Sequence, residues 1–270
     1  VGFVLILAFI LKIEGMSWFD AFCHSFTTIG TAGFSTQNAS IGAYSGVIQW
    51  TIIIFMFIAA TNFSLHYYFI AKGKFEYYRD QEFRYYLGLV IIFSLLFFIN
   101  IISTNEYQIN LITLRHSFFT AVSLLTTTGF STEDFNDWPA LSNMLVFVLL
   151  FIGGSAGSTT GGMKIIRTIV ISRYLLCEVR RLLHPKGIFN IKLGNKIIDD
   201  DVVKATLGFY LFYLLIFIFT AIILSATGLD FITALTASAS AIGNVGPALG
   251  SIGPSYDWGH LTDFAKWLTS

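Results

Sequence analysis

The stretch Thr126-Thr127-Thr128-Gly129-Phe130-Ser131-Thr132 follows a short apolar segment, 114–125, and precedes a longer one, and the same order occurs twice more in the chain. Thr31-Ala32-Gly33-Phe34-Ser35-Thr36 follows 17–29, and Asn244-Val245-Gly246-Pro247-Ala248-Leu249 follows 230–242. Each preceding segment is shorter than the roughly 20 residues a helix needs to cross a bilayer, and too apolar for a surface loop. A re-entrant half-helix fits, because non-helical backbone at membrane depth is tolerated only where protein buries it or water lines it. One glycine turn is ordinary punctuation, whereas three in the same helical setting form an internal repeat. Repeated hairpins of this kind build ion pores, in which rings of backbone carbonyls replace the water around a cation. Glycine suits such a turn because, without a Cβ, it enters positive φ at no steric cost.

Composition agrees. The 270 residues are 55% hydrophobic, 17% aromatic and only 12% charged, with a net charge of zero and a mean hydropathy of +0.71. Soluble domains carry about 25% charged residues, so this is a polytopic membrane protein, and its charge gives no reason to expect a nucleic-acid partner. Cys23 and Cys177 show no metal-ligand spacing and are expected as small core residues.

Long apolar runs occupy 46–71, 85–102 and 202–226, with a partial one at 1–13. A further run, 141–177, is interrupted by Gly153-Gly154-Ser155-Ala156-Gly157-Ser158-Thr159-Thr160-Gly161-Gly162. The resulting division is a second repeat over 1–71, a third with a broken second helix over 72–177, a cytoplasmic connection over 178–202 and a fourth repeat over 203–270. The chain starts inside an apolar run without a basic segment before it, unlike a secretory signal, and 258–270 begins a helix and stops, so both ends read as cut.

Lys12, Arg115 and Lys266 lie on the side of the glycine turns and the other basic residues opposite, which orients the turns outward. Glu14, Asp20, Glu106, Glu133, Asp134, Asp137, Asp230, Asp257 and Asp263 fall on the outer side, where they would concentrate cations at a pore mouth. Glu133 and Asp134, directly after a turn, are the strongest candidates for that role.

With Phe22-Cys23-His24-Ser25-Phe26-Thr27-Thr28-Ile29, the three turns and the glycine-rich run through Met163-Lys164, the sequence resembles the Trk/Ktr/HKT superfamily of potassium transporters, most closely the bacterial TrkH-type subunit. The resemblance implies an all-α membrane protein with repeated helix, pore-helix, filter-loop and helix units around a pseudo-fourfold ion pore. This chain would hold repeats two to four, the first lying before Val1. Carbonyls of Gly30, Thr31, Ala32 and Gly33, of Thr126, Thr127, Thr128 and Gly129, and of Gly243, Asn244, Val245 and Gly246 would then hold dehydrated K+. The turns differ in sequence, so some Na+ permeation is expected. The resemblance further implies a homodimer in the lipid of the bacterial plasma (inner) membrane, regulated by a cytosolic nucleotide-binding ring of the TrkA type, with no organic cofactor.

It also makes the broken helix an intramembrane gate beneath the filter, built on Gly153, Gly154, Gly157, Gly161, Gly162 and Lys164. The residues agree: each glycine costs a helix about 1 kcal/mol against alanine, so the segment should be mobile. Lys164 at membrane depth must face water or a partner, because an unpaired charge there costs at least ~2.5 kcal/mol; placed in a cation path, its ammonium would repel the ion. The alternatives are a GxxxG helix-packing face at Gly153, Gly157 and Gly161 and a snorkelling role for Lys164.

Enzymatic readings find little support. Met163 interrupts any phosphate-loop pattern, His24, His66 and His116 read as packing histidines, and no nucleophile stands beside a base. The stretch 178–204 mixes Arg180, Arg181, Lys186, Lys192 and Lys196 with Asp199, Asp200 and Asp201; it reads as a solvated connection or a dock for a regulatory subunit. The competing function is a proton- or sodium-coupled secondary cation transporter using the broken helix as its substrate site. That class requires inverted repeats and an ionisable residue inside a span, whereas these repeats run in one direction and Lys164 alone qualifies.

Overall fold

A computed structural model of the chain describes residues 1–104, 107–184, 187, 190–194, 196–256 and 258–269, and among them eleven α-helices follow the apolar segments. Helix α1 (Gly2–Ile13) precedes α2 (Trp18–Ile29), which ends at the first glycine turn; α3 (Gly46–Ala59) and α4 (Phe63–Lys72) follow. Helix α5 (Gln81–Ser103) precedes α6 (Leu111–Leu125) and the second turn, and α7 (Ala140–Leu149) and α8 (Ile165–Leu183) flank the glycine-rich break. Helix α9 (Asp200–Ala226) precedes α10 (Phe231–Gly243), the third turn and α11 (Asp263–Thr269). The repeat is thus physical: α1 packs on α2, α5 on α6 and α9 on α10, while α3 bridges α2 and α6.

Each half-helix starts at a side-chain cap, which satisfies one of the amides that a helix start leaves without a partner. Ser17 accepts from the Asp20 amide, Asn110 from that of Thr113 and Asp230 from that of Thr233. Helix α6 then buries its whole second half, Phe119 through Leu125, and α10 buries Ala237 through Ser240. A 15-residue or 13-residue helix is stable here because protein surrounds it.

Among the described residues, α5 and α9 are long and apolar enough to cross a membrane alone. The run 46–71 is not one straight span. Helices α3 and α4 meet at 94°, and the bend frees backbone groups that distant residues satisfy, as described below. The GxxxG packing alternative for Gly153, Gly157 and Gly161 also fails, since no helix runs through 151–164. Between α8 and α9 the described residues include a two-stranded ladder, β1 (Lys192–Leu193) against β2 (Lys196–Ile197). Cys177 is buried as expected, but Cys23 is only partly so.

Candidate functional site

The three glycine turns share one backbone conformation. Each half-helix runs into a residue in the left-handed region: Thr31 at φ 49°, Thr127 at φ 52° and Asn244 at φ 53°. Two residues later comes a glycine with positive φ, at 68° for Gly33, 81° for Gly129 and 108° for Gly246. The hydrogen bonds repeat as well: the amides of Ala32, Thr128 and Val245 donate to the carbonyls of Thr27, Ser123 and Ser240 at 2.8, 2.9 and 2.9 Å. Gly30, Thr126 and Gly243 therefore occupy equivalent places although their side chains differ.

The turns also abut. A Cβ on Gly33 would overlap the carbonyl oxygen of Thr128, and one on Gly129 would overlap that of Val245, so the first turn packs on the second and the second on the third. Together they wall a cavity of about 510 Å³, lined by Ala32, Gly33, Thr128, Gly129, Asn244, Val245 and Gly246, with Tyr256 and Trp258 also facing it. Gly30, Thr31, Thr126, Thr127 and Gly243 are not part of that lining; they stand where the half-helices pass into the turns.

Three of those positions, Thr31, Thr127 and Gly243, meet the glycine-rich break. The Thr31 hydroxyl donates to the Thr159 carbonyl at 3.0 Å, the Gly161 amide donates to Thr127 Oγ1 at 2.7 Å, and Gly161 lies against Gly243 and Asn244 of the third turn. One loop thus touches all three turns. It is internally bonded, Gly153 N–H to Met163 O at 2.8 Å and Ile165 N–H to Gly154 O at 3.1 Å. It also closes the bend between α3 and α4: Ser155 N–H donates to Ala60 O, and Phe63 N–H to Gly157 O. Glycines are needed for this docking, since a Cβ on Gly154 would stand 2.9 Å from Ala60 O.

Lys164 folds back on its own loop, its ammonium donating to the carbonyl and the hydroxyl of Thr160. Gly162 and Gly157 take positive φ in the same loop. The sequence reading singled out the glycines and Lys164 but passed over Ser155, Thr159 and Thr160, whose polar atoms make half of these hydrogen bonds; the visible signal was a Ser-Thr-Thr run inside an apolar span. It also missed Glu82, which is 7% exposed and accepts from loop and helix amides.

The histidines pack as expected, each with a polar partner: His24 with Asp20 O and Ser35 Oγ, His66 with Tyr77 and Ile58 O, His116 with Thr132. Just after the second turn Glu133 accepts from the Tyr107 hydroxyl at 2.8 Å, and Asp134 accepts from the Asn136 amide. Hydrogen bonds from Ser17 and Thr36 hold the Asp20 carboxyl below its ordinary value, and one from Thr233 does so for Asp230. Glu106, Asp257 and Lys186 lie outside the described residues.

Half-crossing helices that end in three abutting glycine turns, with a loop beneath them, define an all-α membrane transport protein of the re-entrant hairpin class. The TrkH family model, described as a cation transport protein, matches residues 1–268, and the chain belongs to that family. It is 40% identical over 260 residues to the Trk system potassium uptake protein TrkH of Halomonas elongata, covering 94% of this chain and 52% of that protein. With TrkH of Escherichia coli K12 the identity is 37% over 267 residues, covering 97% and 54%. The crystal structure of the potassium transporter TrkH from Vibrio parahaemolyticus superimposes with a TM-score of 0.93 at 36% identity, covering 99% of this chain and 58% of that one. The chain spans about half the length of the curated relatives it matches.

Proposed function

We propose that this chain supplies part of a potassium uptake pathway across a bacterial plasma membrane. Carbonyls of residues 30–33, 126–129 and 243–246 replace water around the dehydrated ion, those of 32–33, 128–129 and 244–246 at the cavity and the rest where the half-helices pass into the turns, and the loop 153–162 with Lys164 gates the path. The observation that carries this reading is the common backbone of the three turns, edge to edge around one cavity. The relatives' names supply the ion, since they are potassium uptake proteins. Unequal turns admit some Na+ alongside K+.

The divisions 1–71, 72–177 and 203–270 are three of the hairpin repeats of a pseudo-fourfold pore, joined by the connection 178–202. The word "system" in the relatives' names fits a multi-component assembly: a multi-pass homodimer in lipid, regulated from the cytosol by a nucleotide-binding ring of the TrkA type.

Expression of the full-length gene in a bacterium lacking potassium uptake tests the reading. Growth at low potassium is restored by the parent and lost with Gly129→Ser, whose Cβ would overlap the Val245 carbonyl. Undiminished uptake by that variant would overturn the filter assignment. Deleting 156–160 raises flux if the loop is the gate; parental flux from a folded deletion variant refutes the gate.

A further inference from the structure

Helix α8 resumes after the break without a cap of its own: Lys164 occupies the N-cap position and makes no side-chain cap hydrogen bond. The first amides of a helix have no partner within it and favour an anion. The anion comes from another helix. Glu82, in the first turn of α5, accepts through a single oxygen, Oε1, from Ile166 N–H at 3.2 Å and from Ala156 N–H at 2.7 Å. One carboxyl oxygen thus joins the loop to the helix that follows it, from a residue only 7% exposed.

Its neighbour faces the cytoplasmic connection. Gln81 Oε1 accepts from the Gly194 amide at 2.7 Å, in the ladder that joins α8 to α9, and from Arg173 of α8 at 3.3 Å. Two consecutive side chains at the start of α5 therefore contact the cytoplasmic hairpin and the glycine-rich loop.

We propose that Glu82 is the positioning residue that latches the loop in its seat against the three turns, and that Gln81 ties this latch to the cytoplasmic hairpin. The proposal rests on the gate reading above. With the carboxyl in place, Ala156 and Ile166 are held together and the loop keeps its contacts to Thr31, Thr127 and the third turn. With it removed, two amides lose their acceptor and the loop and α8 separate.

The test uses the full-length protein in liposomes, with K+ and Na+ flux and hydrogen exchange of peptides covering 153–162 as readouts. Glu82→Ala raises K+ flux at least about tenfold, the effect of losing even one of its two hydrogen bonds to a charged group, and speeds exchange in 153–162, with the K+ to Na+ ratio unchanged. Glu82→Gln, which keeps an oxygen acceptor, returns both readouts to within about twofold of the parent. Where Glu82→Ala does not fold, Glu82→Asp, which retracts the carboxyl by one methylene, gives the same signs at smaller size. In the variant lacking 156–160, Glu82→Ala has no further effect, because nothing remains to be latched.

Parental flux and exchange in Glu82→Ala, or failure of Glu82→Gln to restore them, overturns the latch. If deletion of 156–160 leaves flux unchanged, the gate reading itself falls; if deletion raises flux and Glu82→Ala does not, only the latch falls. Gln81→Ala speeds exchange in the hairpin and the loop together, and faster exchange in the hairpin alone overturns the tie between them.

Discussion

The Thr127 side-chain oxygen accepts a hydrogen bond from the Gly161 amide at 2.7 Å, joining the second glycine turn to the loop beneath it across 34 residues. Thr127 is also a β-branched residue at φ 52°, a conformation such side chains rarely adopt. Thr31 repeats both features, at φ 49° and bonded to Thr159. Backbone strain costing about 1–3 kcal/mol per residue thus coincides with the contact between turn and loop.

A substitution series at Thr127 separates strain from contact. Asn is at ease in the left-handed region and already stands at the equivalent position 244. Thr127→Asn, which relieves the strain and still offers a side-chain oxygen as acceptor, is therefore expected to melt at or above the parent. Thr127→Val keeps the branching but removes the acceptor, leaving the half-buried Gly161 amide unsatisfied at a cost of about 1 kcal/mol. Lower melting and higher flux are expected, and a valine variant indistinguishable from the parent would show that the bond contributes nothing.

Glycine substitutions should rank by what surrounds each one. Gly33→Ala and Gly129→Ala combine overlap with a neighbouring carbonyl and about 1–3 kcal/mol of left-handed strain. Gly246→Ala has the strain, at φ 108°, but no atom within 4 Å of the new Cβ. Gly88→Ala, inside α5 with open space beside it, gains up to about 1 kcal/mol of helix propensity. Thermal melting in detergent is expected to order them with Gly33→Ala and Gly129→Ala lowest, then Gly246→Ala, and Gly88→Ala at or above the parent.

What the sequence made legible follows from locality. The half-helices and turns were readable because capping residues and glycines act within a few positions: Asn110 caps Thr113, and Gly129 ends a turn that starts at Thr126. The bend at 60–62 was not. No proline or glycine marks Ile58-Ala59-Ala60-Thr61-Asn62-Phe63, and the groups freed there are satisfied by Ser155, Gly157 and Thr159. Glu82 was hidden for the same reason. In sequence it belongs to a polar start of α5, and only the fold brings the loop and α8 to its carboxyl. Left-handed threonines escaped notice because intrinsic preference argues against them, and the tertiary contacts that hold Thr31 and Thr127 lie 128 and 34 residues away.

The caps carry a pH expectation. Asp230 has its carboxyl lowered by the hydrogen bond from Thr233, and Asp20 by those from Ser17 and Thr36. A carboxyl lower in the folded state adds stability above its unfolded value, near 3.9, and that contribution is lost as pH falls through the folded value. Between pH 5 and 8 these groups should leave melting unchanged, with loss confined to about pH 4 and below. Asp230→Asn, which caps as well without titrating, is expected to flatten the acid limb, and an equally steep limb in that variant would assign the loss to other groups.

Gly161 and Gly162 are adjacent and answer different questions. A Cβ at Gly161 would lie 2.5 Å from the Gly243 carbonyl oxygen and 2.9 Å from Asn244 Cβ, so alanine there must push the loop away from the third turn. The neighbours are largely backbone and cannot swing aside, and the displacement also lengthens the bond from the Gly161 amide to Thr127. At Gly162 the new Cβ would meet atoms no nearer than 3.4 Å, an ordinary contact, but the residue sits at φ 61° and alanine would be strained in place. Both variants should melt lower than the parent, yet only Gly161→Ala should raise basal potassium flux, because only it moves the loop off the turns. Equal flux from the two, in proteins that elute as a single species, would mean that contact between the loop and the third turn does not limit conduction.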